Sequence, residues 1–146
     1  MKEVIEHYNK LIDENNDPVR DSKPLKDYMD KWDGGRFIES MKLNKNKTVL
    51  EIGVGTGRLA MKVAPLCQLF WGIDISPKTI TRATENLSSC HNIKLICDDF
   101  MSFEFADCFD VIYSSLTFMH IEDKLSAIKK IASLLNGDGI FVLSMD

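Results

Sequence analysis

"VLEIGVGTGRLA", Val49 to Ala60, carries an apolar run straight into three glycines at alternate positions. That order predicts a strand over 48–52, a tight turn at Gly53, Gly55 and Gly57, and a helix over 58–64. Glycine reaches positive φ and has no Cβ, so a ligand can rest against the peptide planes of such a turn. The helix start beyond it adds free backbone N–H groups. Glu51, two residues ahead of Gly53, places an acid beside the turn.

Downstream, apolar runs of strand length alternate with amphipathic stretches. Strands are expected over 69–73, 93–97, 110–114 and 140–144, and helices over 77–87 and 124–135. The strands alternate only weakly, as strands covered on both faces do. The fold class is therefore α/β, a doubly wound and mainly parallel sheet. Ser76 followed by Pro77 is a helix start, and "LNGDG" (135–139) is expected to end the last helix with a residue that tolerates the left-handed conformation and to turn into the next strand. The connection over 98–109 reads as either a short helix or an extended loop. Residues 1–46 differ in texture. They are charged, punctuated by Pro18 and Pro24, with short helices expected over 5–11 and 37–41 and a turn or cap at "WDGGR". They form a helical lid or cap, and 47–146 form the ligand-binding core of one domain.

The chain has 146 residues, 45% hydrophobic and 27% charged, with a net charge of -4. That suits one soluble domain and argues against a nucleic-acid binder built on a basic surface. No apolar run nears the roughly 18–20 residues that span a bilayer, and the charged start lacks a signal-peptide core, so a cytoplasmic protein is expected. The four cysteines form no C-x-x-C pair. They read as reduced structural thiols, with Cys97 buried in the apolar "IKLIC", rather than as disulfides or a metal site.

The charges identify the ligand class. Glu51, Asp74 in "GIDIS" and the pair Asp98 and Asp99 in "CDDF" all fall at carboxyl ends of predicted strands and should converge on one cleft. Asp74 can accept both protons of a ribose diol. A pyrophosphate would be repelled by this rim, and the glycine spacing is not the dinucleotide G-x-G-x-x-G. An adenosine bearing a cationic group fits.

"VLEIGVGTGRLA", "GIDIS", "CDDF", "FDVIYSSLTFMHI" and "LNGDGIFVLSMD" together resemble the ordered motifs of class I, Rossmann-like S-adenosylmethionine-dependent methyltransferases, over about 48–146. The resemblance implies S-adenosylmethionine as cofactor. Gly53, Gly55 and Gly57 would cradle its methionine part, with Glu51 at its amino group. Asp74 would take the ribose hydroxyls and Ile75 would lie against the adenine. Asp98 would accept from the adenine amino group, with the backbone of Asp99 and Phe100 completing the base pocket; either acid of the pair could instead be solvated or cap a turn. Ser114, with Ser115, would end the fourth strand beside the glycine turn and meet the amino group. His120 is the candidate general base, against a packing or capping role. Tyr8, Trp32 and Arg36 would either face the cofactor, the arginine toward its carboxylate, or belong to a surface helix with an aromatic anchor. The N/D-P-P-Y/F motif and a Pro-Cys nucleophile are absent, which favours a small-molecule acceptor.

The family's sheet usually continues into a hairpin of two further strands, which this sequence lacks. A truncated enzyme, or an edge covered by another chain or an oligomer partner, is expected. Three readings follow: a methyltransferase, a non-catalytic module binding S-adenosylmethionine or S-adenosylhomocysteine, and, disfavoured by spacing and charge, a nicotinamide-dependent oxidoreductase.

Overall fold

In the computed structural model, which describes residues 1–145, β1 (Thr48–Ile52) is the central strand. Around it β2 (Leu69–Asp74), β3 (Ile93–Cys97), β4 (Phe109–Ser115) and β5 (Leu135–Ser144) pair in the order β3-β2-β1-β4-β5, every neighbour parallel. The chain runs outward from β1 to β3 and returns to the other side of β1 at β4. Open α/β sheets form a crevice at that switch point.

Alternate strand residues supply two cores. Val49, Phe70, Val111 and Tyr113 meet Val54, Leu59, Val63, Ala83 and Leu87 on one face. Leu50, Ile52, Trp71, Ile73 and Ile112 meet Phe100, Phe118, Ala127 and Ile131 on the other. Each large side chain so buried contributes about 1.5–3 kcal/mol. A one-residue slip would exchange the two sets, so the register is firmly held.

The helices are α1 (Lys2–Asp13), α2 (Lys23–Asp33), α3 (Gly35–Glu39), α4 (Ala60–Val63), α5 (Pro77–Asn86) and α6 (Lys124–Leu134). The Ser76 hydroxyl accepts from the Thr79 N–H at 3.2 Å and starts α5 as its sequence predicts. Elsewhere the sequence reading needs correction. The helix expected over 58–64 is a single α turn followed by a 3-10 turn, Ala64–Leu66, because Pro65 has no N–H to continue it. α1 is longer than expected and α2 was not foreseen. No left-handed residue ends α6: Leu135 is already extended and starts β5. The residues between Leu135 and Ile140 bulge from the ladder, whose partners step only from Phe109 to Val111.

The connection from β3 to β4 is an extended loop without a helix. Phe103 and Phe105 cover the sheet there, Phe105 with its centroid 6.3 Å from Trp71 and 5.8 Å from Phe109. The Lys130 ammonium fastens the loop by donating to the carbonyls of Phe100, Met101 and Phe103 at 2.6, 3.2 and 2.6 Å. Cys97 is exposed rather than buried, since it ends an edge strand; Cys67 is the buried thiol. Among the described residues no helix is long and apolar enough to cross a membrane.

α1 buries none of its residues. It lies on α5 through polar contacts: Asn9 Oδ1 accepts from the Ser76 hydroxyl at 2.7 Å, and Asp13 pairs with Lys78 at 2.6 Å. The segment after α1 is tied down by Asp17, 3% exposed, which accepts from Thr56 Oγ1 at 2.7 Å, Asn86 Nδ2 at 3.1 Å and Arg82 at 3.2 Å.

Candidate functional site

A cavity of about 750 Å³ opens where the carboxyl ends of β1, β2, β3 and β4 meet, with α1 over it. This lies within the roughly 300–1,000 Å³ of small-molecule sites. Its floor is the glycine turn. The N–H groups of Gly53 and Val54 both donate to the Ile73 carbonyl, at 2.9 and 3.1 Å, stitching the turn to the end of β2. All three glycines have positive φ, at 77°, 59° and 98°. Their surroundings differ. A Cβ on Gly53 would stand 2.2 Å from the Thr117 hydroxyl and one on Gly57 2.9 Å from Leu87, whereas one on Gly55 would meet nothing. The bareness of Gly53 and Gly57 is used for packing, and Gly55 is the glycine whose Cβ position is open.

Asp74, ending β2, is pinned by two backbone donors, Gly55 N–H at 3.0 Å and Ser76 N–H at 3.1 Å. Burial raises its carboxyl above the ordinary Asp value, and these hydrogen bonds partly offset the shift. Glu51 is buried against Tyr113, whose hydroxyl donates to it at 2.8 Å. Burial pushes the Glu51 carboxyl well above its usual range, against the smaller opposing pulls of the Tyr113 hydrogen bond and the Arg58 charge. Asp98, Asp99 and Phe100 form the wall beyond Asp74 and Ile75. Asp98 accepts from the Asp99 N–H at 2.7 Å and Asp99 from the Met101 N–H at 3.2 Å, so each acid also shapes its own turn.

Arg58, the residue that follows the glycine turn, also lines the cavity. It donates to the two carboxylate oxygens of Asp33, one contact at 2.8 Å, and Asp33 also accepts from Ser115 Oγ at 2.5 Å. Asp33 is the one buried residue of α2. Across the cavity, Tyr8 of α1 is 2.9 Å from Nε2 of His120. Burial, and secondarily the Asp74 charge, hold the Tyr8 phenol above its usual value. Leu116, at φ 54°, turns the backbone sharply after β4 and brings Ser115, Thr117 and His120 to the cavity wall.

Of the residues singled out in the sequence, Glu51, Gly53, Gly55, Asp74, Ile75, Asp98, Asp99, Phe100 and His120 line this cavity. Gly57 and Ser114 do not. Gly57 faces Leu87 in the core, and the buried Ser114 hydroxyl donates to the Ile52 carbonyl at 3.0 Å between strands. Tyr8 faces the cavity; Arg36 lies outside its lining, and Trp32 is 52% exposed, neither lining it nor anchoring in the core. Ser115, expected with Ser114 at the end of the fourth strand, lines the cavity, and Asp33 and Arg58 join the site without a sequence expectation. Arg58 directly follows the glycine turn and could have been suspected from that place. Nothing in the sequence marks Asp33 among the acids of residues 1–46.

Glu3, Glu51, Asp74, Asp98, Asp99, Glu122 and Asp123 line the cavity against a single arginine, Arg58. Such a lining attracts a cationic ligand, and Gly55 lets it approach the backbone.

Comparison with known proteins agrees with this geometry. Residues 50–143 match the family described as a methyltransferase domain. The chain is 38% identical over 98 residues to an uncharacterized methyltransferase of Bacillus mycoides strain KBAB4, covering 66% of this chain and 45% of that protein. It is 30% identical over 111 residues to malonyl-[acyl-carrier protein] O-methyltransferase 1 of Ilyobacter polytropus, covering 74% and 40%. Among solved structures, the N-methyltransferase NodS of Bradyrhizobium japonicum in complex with S-adenosyl-L-homocysteine superposes with a TM-score of 0.72, covering 86% of this chain and 63% of that one. At 24% identity that likeness speaks to the fold. The chain thus spans less than half the length of the two relatives it matches in sequence.

Proposed function

Because the chain belongs to the methyltransferase-domain family, we propose that it moves the methyl group of S-adenosylmethionine to a small-molecule acceptor. The observation that carries this reading is the open side of Gly55 next to Asp74, whose carboxylate is fixed by the Gly55 N–H itself. The turn and the acid form one rigid unit. Asp74 takes the ribose diol, Ile75 and Phe100 flank the base with Asp98 at its amino group, and Glu51 faces the methionyl ammonium. Bound there, the cofactor supplies an electrophilic methyl group on a sulfonium with a neutral leaving group.

The protein's share of the chemistry is alignment and exclusion of water. α1 covers the cavity, and the acceptor enters between Tyr8 and the wall formed by Ser115–His120. A hydroxyl or ammonium acceptor must lose a proton. His120 takes it at Nε2 once the acceptor displaces the Tyr8 hydroxyl. The acceptor walls carry Glu3, Glu122 and Asp123 and no lysine, which supports a metabolite-sized acceptor without anionic groups over a nucleic acid.

Calorimetric titration with S-adenosylmethionine and, separately, a nicotinamide dinucleotide tests the reading. Saturable binding of the first alone, weakened about tenfold or more by Asp74→Ala, is expected; binding of the dinucleotide in its place would overturn it. Methyl-labelled cofactor with an acceptor panel then separates turnover from a second reading, a module that binds the cofactor without transfer.

A further inference from the structure

Arg58 is the one lysine or arginine in the cavity lining, and its partner belongs to a different part of the chain. Asp33 sits at the end of α2, fully buried, and its two oxygens receive two guanidinium N–H groups and the Ser115 hydroxyl. A buried carboxylate is stable only when paired and hydrogen-bonded in this way. The pairing also fixes the arginine. A guanidinium has five N–H donors in a rigid fork, so two given to Asp33 leave three for another acceptor. Arg58 stays within electrostatic reach of Glu51, and both line the cavity. Asp30, 3.8 Å from Arg58, is occupied by Lys62 at 2.8 Å. An acid and a fixed guanidinium side by side are what a zwitterionic α-amino acid end requires, one for its ammonium and one for its carboxylate.

We infer, resting on the cofactor reading above, that Arg58 is the subsite for the methionyl carboxylate and that Asp33 is the residue that positions it. The helical segment before β1 then contributes to cofactor recognition through a buried acid, and the arginine involved is not Arg36. Without Asp33, Arg58 would be free to collapse onto Glu51, occupying the ammonium's partner as well as losing its own aim.

Calorimetry on the intact chain with two probes tests this. S-adenosylhomocysteine carries the amino acid end, whereas 5′-methylthioadenosine keeps the nucleoside and sulfur but lacks it. Asp33→Asn and Arg58→Met are expected to weaken S-adenosylhomocysteine by roughly tenfold or more and to leave 5′-methylthioadenosine unchanged. Arg58→Lys, keeping the charge without the fork, should fall between. Thermal melts establish that each variant is folded. If the pair only anchored α2, both probes would lose affinity together; that result, or no loss for either, overturns the inference. A wild-type chain that bound neither nucleoside would instead overturn the cofactor reading from which this one descends, so the two failures are distinguishable.

Discussion

Two buried acids answer pH in opposite directions. Burial opposes ionisation of Asp17, yet hydrogen bonds from Thr56, Asn86, the Val19 N–H and Arg82 outweigh it and hold the carboxyl below its usual range. The stability it adds is present above the ordinary Asp value and is lost as pH falls through the lowered one. Asp17→Ala should cost about 1–3 kcal/mol at neutral pH and flatten the acid limb of a urea-denaturation series. Glu51 is raised, so the unfolded chain ionises first and stability declines as pH climbs from the ordinary Glu value toward the folded-state one. Glu51→Gln keeps an acceptor for Tyr113 and removes that decline. It should gain about 0.5–2 kcal/mol above neutrality while weakening cofactor binding. A denaturation series from about pH 2 to about pH 9 reads both signs. The glycines separate in the same manner. Gly53→Ala combines a positive φ with a collision against Thr117, whereas Gly55→Ala has only the φ penalty of about 1–2 kcal/mol. Gly55→Ala should therefore fold and lose cofactor affinity; Gly53→Ala should lose more stability than Gly55→Ala, read by melting temperature and titration side by side.

Elements differ in how tightly they are held, and that decides which of them could be read in advance. All five strands and α5 were legible in the sequence because an apolar run or a cap settles them locally. α2 was not, since its one buried residue is an acid whose partner, Arg58, is 25 residues away in the chain. The extended crossover after β3 is fastened by Lys130, from a helix far along the chain, which satisfies three of its carbonyls. Lys130→Met should cost about 1–3 kcal/mol. Amide exchange should accelerate selectively over 98–105, on the wall that carries Asp98 and Asp99. In the site, the acids at strand ends and Ser115 were legible from position alone, while Asp33 depends on how α2 folds back, and Gly57 and Ser114 lie outside the cavity lining because spacing does not say which way each residue of a turn or strand end faces.

Over the whole molecule, charge and topology act together. The net charge of -4 and the acidic cavity favour a cation. Affinity for S-adenosylmethionine should fall a few-fold when ionic strength rises from roughly 0.05 M to roughly 0.5 M. S-adenosylhomocysteine, which lacks the sulfonium charge, should respond less, and calorimetry at several salt concentrations would show it. The strand order has a consequence for how the molecule is made. A ribosome delivers β1, β2 and β3 in the order in which they stand side by side, so half of the sheet can assemble while the remainder is still being translated. One flank of β1 must then wait, unpaired, until β4 emerges and slots in beside it. Tyr8 meets His120 only after 112 more residues have been joined, and Asp33 meets Ser115 only after 82. The nascent chain therefore reaches a halfway state with the β2 and β3 side of the cavity outlined and the β4 side not yet present.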